Sequence, residues 1–286
     1  MDSTAFASAS DYIDPNRYPL DRPGSAGYAK IVSDAAAQLA DDGCCVLKGF
    51  IRRQALPDLV RQADLVAPRA HRSFNRTNAY FSEDDPDLPA TDPRRRFYDR
   101  SNAFVPADNF GPETGLRAIY EFDPFQLFIK RALGADRFFR YADPLADVII
   151  NVVEEGGGFP WHFDTNNFTV TLAIQNGHGG GVFEYAPNLR TPVDERFQAV
   201  ADVLDEASQA VRSIDLVPGD LQIFKGRYSL HRVTPVVGSQ PRYVGIFSFV
   251  ETEGMVVSPE RTKQLYGRVL PIHHERAGLR SDRLKD

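Results

Sequence analysis

The sequence predicts an α+β fold, with helices in the first half and a β-sandwich or barrel in the second. Before residue 135, apolar residues recur at helical spacing in three segments. From residue 146 to 250, short β-branched and aromatic runs replace them, and turns that contain glycine or proline separate most of these runs. Runs of strands that follow runs of helices are typical of α+β proteins.

The first predicted helix covers residues 26–39, where Ile31, Ala35 and Leu39 fall at helical spacing, and Gly43 follows its end. A short strand is predicted directly after it, over residues 44–47. The other predicted helices cover residues 53–65, ended by Pro68, residues 121–133, closed by Gly134, and residues 259–268.

Residues 72–112 are rich in proline, aspartate, asparagine and arginine, and they show little periodicity. A loop of this length inside a compact domain is usually functional or mobile. We therefore predict a lid or a substrate-facing excursion, with an ordinary surface loop as the equal alternative.

The predicted strands follow in the second half of the chain. Together with the helices they suggest one domain over residues 1–286. Residues 26–135 form the helical support and the lid loop, residues 146–250 form the β core, and residues 251–286 form a C-terminal helix and a loose charged tail. The strand segments are ADVIINVVEE, FTVTLAIQ, GVFEYAP, SIDLV, DLQIFKG, SLHRVTPV and RYVGIFSFVE.

Composition restricts the possible partners and the compartment. The net charge of -6 and pI near 5.6 argue against general binding to a phosphate backbone. The only two cysteines, Cys44 and Cys45, are adjacent in an apolar stretch, which favours buried free thiols and a reducing compartment. The N-terminal residues lack the pattern of a secretory signal, and no apolar run is long enough to cross a membrane. We therefore expect a cytoplasmic protein with no nucleic-acid or membrane partner, and the sequence does not indicate its oligomeric state.

Two histidines and one aspartate form the candidate metal site. In a strand, residues i and i+2 point to the same face, so His162 and Asp164 can bind one ion while Phe163 points away. His231, in a second strand-like run, can supply the third ligand. A single histidine in a strand is more often a polar core residue than a ligand. Here, however, His162 follows a glycine-rich turn that opens a strand, and His231 follows a PGD turn and the strand LQIF. Two histidines and a carboxylate are the facial triad of non-heme Fe(II) oxygenases.

Residues 147–250 resemble the Fe(II)/2-oxoglutarate-dependent dioxygenase superfamily. The matching pieces are WHFD, VPGDLQIFKGRYSLHRVTPV, the arginine of GSQPRYVGIFSF and, nearer the N-terminus, DDGCCVLKGF. The resemblance implies a double-stranded β-helix (jelly-roll) core buttressed by the N-terminal helices. It also implies that His162, Asp164 and His231 bind Fe(II), that 2-oxoglutarate chelates this iron, and that dioxygen is the co-substrate.

The resemblance further implies that a basic residue on a late strand pairs with the distal carboxylate of 2-oxoglutarate. Arg242 is the candidate, because a guanidinium holds a carboxylate bidentately. Arg232 is the second choice, since it neighbours His231 and should face the opposite side of the strand. Some relatives carry a serine two residues after the arginine, where this chain has Val244. A hydroxyl of Thr171, Thr234 or Tyr228 could replace that serine.

Within the superfamily, HFDTNNFTVTLAIQ and GGGVFEYAPNLR are most similar to stand-alone enzymes that act on free amino acids. Some of these enzymes are halogenases, in which glycine or alanine replaces the carboxylate ligand and leaves a position for chloride. Asp164 occupies that position here, so the resemblance implies hydroxylation or a related oxidation of a small molecule, such as an amino acid or a natural-product intermediate.

Three residues are candidates for substrate contact, and each has an ordinary structural alternative. Trp161 flanks the metal ligands but could simply pack in the core, and Asn166 could shape a turn. Arg94, within the run Arg94–Arg96, could bind a substrate carboxylate, although runs of charge are more often solvated.

Two alternatives to this function stay open. One is an oxygenase whose substrate is bound to a carrier protein or a peptide, for which a large open groove is expected. The other is a non-catalytic metal-binding jelly-roll module, for which we expect metal binding without consumption of 2-oxoglutarate.

Overall fold

The computed structural model describes residues 8–276 and contains eight α-helices among them. The helices are α1 (Ala9–Tyr12), α2 (Ala26–Asp42), α3 (Leu56–Val66), α4 (Gly115–Glu121), α5 (Asp123–Leu133), α6 (Phe197–Leu204), α7 (Pro259–Tyr266) and α8 (Pro271–Glu275). Short 3₁₀ helices cover Arg53–Ala55, Ala67–Arg69, Pro93–Arg95 and Ala107–Asn109.

Fifteen strands accompany these helices in the described part of the chain. They are β1 (Cys44–Leu47), β2 (His71–Thr77), β3 (Tyr98–Val105), β4 (Phe139–Arg140), β5 (Val148–Val153), β6 (Phe159–His162), β7 (Thr169–Gln175), β8 (Gly179–Gly180), β9 (Phe183–Ala186), β10 (Arg212–Ile214), β11 (Leu221–Phe224), β12 (Leu230–Val233), β13 (Val236–Val237), β14 (Arg242–Phe247) and β15 (Phe249–Val250).

Two antiparallel sheets form the core that the sequence predicts. The major sheet has the order β1-β11-β7-β14-β5-β3-β2, and the minor sheet has the order β10-β9-β12-β6. Their inner faces share one apolar cluster, in which Phe224 of the major sheet contacts Phe183 of the minor sheet at 5.0 Å between ring centroids. The α+β class and the jelly-roll core are confirmed.

Helices α1 to α5 cover the outer face of the major sheet. The pattern of β7 explains this packing. Every second residue, Val170, Leu172 and Ile174, points to the same face of the strand and packs in a cluster with Leu39 of α2 and Phe125 of α5. Helix α2 begins at residue 26, as predicted. Ser25 caps its N-terminus, because the Ser25 hydroxyl accepts a hydrogen bond from the Tyr28 backbone N–H. The helix ends where Gly43 adopts a positive φ of 62°.

The segment 72–112 is not the continuous loop that its composition suggests. Most of β2 and all of β3 lie within it, and the two strands pair from His71 opposite Phe104 to Thr77 opposite Tyr98. This hairpin adds to the edge of the major sheet through β5. An edge strand has one side toward solvent and needs little apolar alternation, so its sequence resembles a loop.

Three further elements differ from the predictions. The helix predicted over residues 121–133 is present as α5, but α4, which ends at Glu121, was not predicted. Phe122 separates the two helices, because Pro124 at the start of α5 cannot continue a preceding helix. Helices α1 and α6 were not predicted at all.

The predicted C-terminal helix is present as α7, but the first residues of the predicted loose tail are helical. His273, assigned from sequence to a polar tail, lies in α8 and is fully buried. The rest of the predicted tail, residues 277–286, is outside the described residues. Over residues 8–276, no helix combines the length and the apolar character needed to cross a membrane.

Candidate metal centre

Strands β6 and β12 bring the two predicted histidine ligands together. His162 and His231 are directly opposite in the antiparallel register, and their ring centroids are 4.2 Å apart. Strand β6 ends at His162, so Asp164 lies just beyond it. Its Oδ1 is 3.4 Å from His231 Nε2 and 3.8 Å from His162 Nε2. One ligand atom from each of the three residues falls within 4.8 Å of the others, as a shared ion requires.

Backbone hydrogen bonds fix the orientation of both imidazole rings. His162 Nδ1 lies 2.8 Å from the Pro160 carbonyl oxygen, and His231 Nδ1 lies 3.0 Å from the Ser229 carbonyl oxygen. A carbonyl can only accept, so each Nδ1 carries the proton and each Nε2 keeps its lone pair. This arrangement, with the second nitrogen held by an outer partner, is usual for histidines that bind a metal.

The Asp164 carboxylate is held by two residues that the sequence did not indicate. The Thr169 hydroxyl donates to Asp164 Oδ2 at 2.6 Å, and the Asp164 backbone N–H donates to the Gly226 carbonyl at 3.0 Å. A Cβ at residue 226 would lie 1.9 Å from Oδ2, so only glycine leaves room for this carboxylate position. The one available signal was the glycine in the KGRY turn between β11 and β12.

The charge states of these side chains suit cation binding. Burial, the neighbouring His231 and Arg100 together hold the pKa of His162 well below its ordinary value, so its ring is neutral at pH 7. Burial alone would raise the pKa of Asp164. His231, His162 and the Thr169 hydrogen bond outweigh that effect and hold the pKa well below its usual range. Two imidazoles and one carboxylate are the donor set of a facial Fe(II) site, so the residues fit this metal.

Aromatic rings surround the two histidines and restrict access of water. Phe224 is 4.9 Å and Phe183 is 5.6 Å from the His231 ring, and Phe81 is 5.8 Å from the His162 ring. Phe163, between the ligands in sequence, faces away as predicted and packs under the guanidinium of Arg190, 4.0 Å from its ring centroid.

Arg242 begins β14 and is buried, with 7% of its surface exposed. Burial lowers its pKa to about 10, and within residues 8–276 no carboxylate forms a salt bridge with it. It is therefore still protonated at pH 7 and has no compensating anion of its own in the described chain. Arg232, the second choice, pairs with Glu184 at 2.6 Å and stacks on Trp161 at 4.8 Å.

The three hydroxyls suggested as further contacts for 2-oxoglutarate each have a protein partner. Thr171 donates to Gln222 Oε1 at 3.1 Å, Thr234 accepts from the Val182 backbone N–H at 2.9 Å, and Tyr228 donates to Asn167 Oδ1 at 3.4 Å. Alternation along β7 places Thr171 on the inner face of the major sheet, opposite to Val170 and Leu172.

A cavity of about 630 Å³ adjoins the Asp164 side of the metal cluster. Asn166 lines it, whereas Trp161 and Arg94 are not among its lining residues. Trp161 packs in an apolar cluster with Phe163, and Arg94 is held by both carboxylate oxygens of Asp92. Other residues that the sequence did not indicate also line the cavity, among them Phe81, Arg100, Thr169, Ser258 and Arg261.

The part of segment 72–112 between the two strands of the hairpin reaches this site. Phe81, with an unusual positive φ of 56°, lines the cavity and contacts the His162 ring. The Phe163 backbone N–H donates to the Ala79 carbonyl at 3.0 Å, which fixes the segment to the ligand-bearing chain. Whether this segment opens and closes as a lid remains a prediction.

Comparisons with known proteins agree with this geometry. The family model described as Halogenase D matches residues 82–266, more than half of the chain. No curated protein sequence matches the chain. Among solved structures, the non-heme alpha ketoglutarate dependent epimerase SnoN from nogalamycin biosynthesis superposes with a TM-score of 0.53 at 12% identity, over 78% of this chain and 84% of that chain.

Two other solved structures show the same fold. The prolyl hydroxylase of Trichoplax adhaerens, in complex with a hypoxia inducible factor peptide fragment, gives a TM-score of 0.51 at 17% identity, over 78% of this chain and 90% of that chain. AviO1 from Streptomyces viridochromogenes Tue57 gives 0.52 at 14% identity, over 76% and 94% of the two chains. At these identities the likeness establishes the fold.

Proposed function

The chain belongs to the Halogenase D family, among the Fe(II)/2-oxoglutarate-dependent oxygenases, and from this premise we propose that it hydroxylates, or otherwise oxidises, an unactivated C–H bond of a small molecule. His162, Asp164 and His231 would hold the iron, and Arg242 would pair with the distal carboxylate of 2-oxoglutarate. When bound, iron and 2-oxoglutarate supply the activation of dioxygen that such an oxidation needs.

The observation that carries this proposal is the position of the Asp164 carboxylate. It lies beside both Nε2 atoms and is held by Thr169 and Gly226, so the third protein ligand is present and oriented. A halogenase of the related type lacks this carboxylate and binds chloride in its place. The family name therefore does not carry over to the reaction of this chain, and oxygen transfer is the better assignment.

The size of the cavity favours a small substrate. At about 630 Å³ it falls within the usual range for small-molecule sites. Its walls come from β3, β5, β14 and α7, together with the Phe81 segment. A free amino acid or a natural-product intermediate fits such a space, and a substrate tethered to a carrier protein or a peptide is the second candidate.

The test is product analysis with iron-loaded protein. Anaerobically Fe(II)-loaded enzyme receives 2-oxoglutarate, oxygen, chloride and a panel of free L-amino acids, and both succinate and substrate products are measured. We expect succinate in step with a product that has gained one oxygen atom. A chlorinated product would contradict the role given to Asp164.

Three control measurements separate the alternatives. The Asp164→Ala variant should lose succinate formation while its circular dichroism spectrum is retained. Arg242→Gln should raise the 2-oxoglutarate concentration needed for half-maximal succinate by on the order of tenfold to a hundredfold, because it removes a charge-assisted hydrogen bond. Iron-bound wild-type protein that forms no succinate under any condition would favour the non-catalytic module.

A further inference from the structure

Helix α7 places a buried tyrosine in the wall of the cavity beside Asp164. Tyr266, the last residue of this helix, lines the cavity and has 4% of its surface exposed. Its hydroxyl forms no hydrogen bond with any group in residues 8–276, although a buried tyrosine hydroxyl usually has a partner. The phenol can therefore donate a hydrogen bond to a molecule that occupies the cavity.

Arg261, in the first turn of the same helix, also lines the cavity. Its guanidinium lies over the Phe81 ring, 4.5 Å from the centroid, and Phe81 in turn contacts the His162 ring. One N–H donates to Gln264 Oε1 at 2.7 Å, and within residues 8–276 no carboxylate forms a salt bridge with this arginine. The guanidinium has further N–H donors for a ligand beside the metal centre.

Both ends of α7 are fixed, so these two side chains have defined positions. The Ser258 hydroxyl accepts a hydrogen bond from the Arg261 backbone N–H at 3.2 Å and caps the N-terminus of the helix. At the other end, Gly267 has a positive φ of 74°, and a Cβ there would lie 2.6 Å from His71 Nδ1 of β2. This close approach holds the end of α7, and with it Tyr266, against the major sheet.

The two side chains together suit a carboxylate. Burial and the nearby Asp143 carboxylate raise the pKa of Tyr266, so its phenol stays protonated and can donate. Burial lowers the pKa of Arg261, but the ordinary value for a guanidinium is so high that the group stays charged at pH 7. One neutral donor and one cationic donor match the two oxygens of a carboxylate. The carbonyl of an ester or a thioester carries no charge to pair with Arg261.

We propose, on the basis of the function proposed above, that Tyr266 and Arg261 bind a carboxylate of the substrate. The substrate is then a free carboxylic acid, such as a free amino acid, rather than an acyl group joined to a carrier protein through a thioester. Arg242, which pairs with 2-oxoglutarate in the proposed function, is not among the described residues that line this cavity. The carboxylates of substrate and 2-oxoglutarate therefore have separate partners.

Binding under anaerobic conditions tests this inference without any oxidation. The protein is loaded with Fe(II) and saturating 2-oxoglutarate, so that Arg242 is occupied. It is then titrated calorimetrically with the proteinogenic L-amino acids, each as the free acid and as the methyl ester. We expect at least one free acid to bind, and its methyl ester and N-acetylcysteamine thioester to bind on the order of tenfold or more weakly.

Tyr266→Phe is the sharpest variant, because it removes only a hydroxyl that has no partner within the described residues. It should weaken binding of the acid by on the order of tenfold and leave the midpoint of urea unfolding unchanged. The matched control is Tyr28→Phe. Tyr28 is also buried and its hydroxyl also lacks a partner in the described chain, but it packs in the cluster on the outer face of the major sheet. This control should bind the acid as wild type does.

Arg261 is tested through the charge of the ligand. Arg261→Gln should weaken binding of the free acid by on the order of tenfold to a hundredfold and should change binding of its methyl ester little. Arg261→Lys should restore part of the loss. The matched control is Arg268→Gln, because Arg268 follows the same helix but is exposed and paired with Asp108.

The inference is wrong if no free acid binds, or if the ester or the thioester binds as tightly as the acid. It is also wrong if either Tyr266→Phe or Arg261→Gln, verified as folded by urea unfolding, binds the acid as wild type does. Failure to form succinate from an acid that does bind would count against the proposed oxygenase function alone.

Discussion

Gly226 controls the position of the Asp164 carboxylate more directly than any residue identified from the sequence. A Cβ at this position would lie 1.9 Å from Asp164 Oδ2 and 2.6 Å from Cγ. Either the carboxylate or the turn must then move. We expect Gly226→Ala to weaken Fe(II) binding by on the order of tenfold to a hundredfold, as is usual when the support of a metal ligand is lost.

Anaerobic competition with a chromophoric chelator measures this affinity. Gly24→Ala is the matched control, because a Cβ there would meet no atom within 4 Å. If Gly226→Ala binds Fe(II) as tightly as Gly24→Ala does, the carboxylate has room to relocate and Gly226 does not position it.

The two cysteines should be inert in the folded protein. Cys44 and Cys45 are buried, and burial raises the pKa of each thiol to about 12. Only on the order of one thiol in ten thousand is then ionised at pH 8, and only the thiolate reacts. We expect negligible alkylation by iodoacetamide in native buffer and rapid alkylation of both residues in urea, measured by mass spectrometry.

The raised pKa of the two thiols also determines how the stability of the fold changes with pH. Because the folded pKa lies above the unfolded value, this contribution to stability is complete below about pH 8.5 and is lost as pH rises toward 12. Rapid alkylation of either thiol in folded protein at pH 8 would show that burial does not protect it.

For individual residues, the sequence predicted those that belong to a short local motif. The spacing of His162 and Asp164, and the strand-like run around His231, are visible in the chain. Thr169 and Gly226 were missed because their role depends on the path of two turns around the carboxylate. Arg100 was missed because nothing local distinguishes an arginine that faces a cavity from one that faces solvent.

Among the elements, the segment between β2 and β3 depends on one side chain. Asn78 has 1% of its surface exposed, and its amide bonds to the backbone or side chain of several residues of the segment. Its Nδ2 donates to Ser82 and to the Arg94 carbonyl, and its Oδ1 accepts from the backbone N–H groups of Tyr80 and Ser82. These bonds hold the turn that presents Phe81 to the metal site.

We expect Asn78→Ala to destabilise the protein by about 2–3 kcal/mol, because it leaves several buried polar groups without partners. The freed turn should also expose the site to water, so that succinate forms in excess over oxidised substrate. Urea unfolding and the ratio of succinate to product measure the two effects. Asn78→Asp keeps the Oδ1 acceptor and should fall between wild type and Asn78→Ala. Unchanged coupling in Asn78→Ala would mean that this segment does not shield the reaction.

The sequence predicted the helices and strands whose apolar residues recur with a regular period. It did not predict the elements that depend on contacts with residues far away along the chain. Helix α2 and strands β7 and β14 carry their pattern locally, so tertiary contacts only reinforce it. The β2–β3 hairpin has mostly polar residues and exists because β5 offers it an edge. Helix α6 follows Arg196, which has a positive φ of 48° and no side-chain cap, so its start carries no sequence signal.

For the whole molecule, the C-terminal region closes the cavity rather than trailing from the core. Helix α7 supplies Arg261 and the chain before it supplies Met255 and Val257, so one wall of the site comes from residues that follow the last strand. The sequence could not show this, because α7 contacts β2 and β3, which lie far away along the chain. The wall depends on how the C-terminal region is fixed to the core.

The buried pair of Asp143 and His273 fixes the C-terminal region to the core. Asp143 and His273 are almost wholly inaccessible, and Asp143 accepts hydrogen bonds from the Leu145 N–H at 2.8 Å, the Val257 N–H at 2.9 Å and His273 Nε2 at 3.1 Å. His273 Nδ1 in turn accepts from the Leu270 N–H at 2.9 Å. The Asp143 carboxylate thus connects the loop before β5 to Val257, which precedes α7, and to His273 of α8.

We expect His273→Leu to destabilise the protein by about 3 kcal/mol, because it leaves a buried carboxylate with an unsatisfied lone pair. It should also raise the KM for substrate while the affinity for 2-oxoglutarate at Arg242 stays the same, since only the wall that contains Arg261 is loosened. A double-mutant cycle with Asp143→Asn should give a coupling energy of about 1–3 kcal/mol by urea unfolding. Additive effects of the two substitutions, or a loss of 2-oxoglutarate affinity equal to that of substrate, would contradict a role for this pair in fixing the C-terminal wall of the cavity.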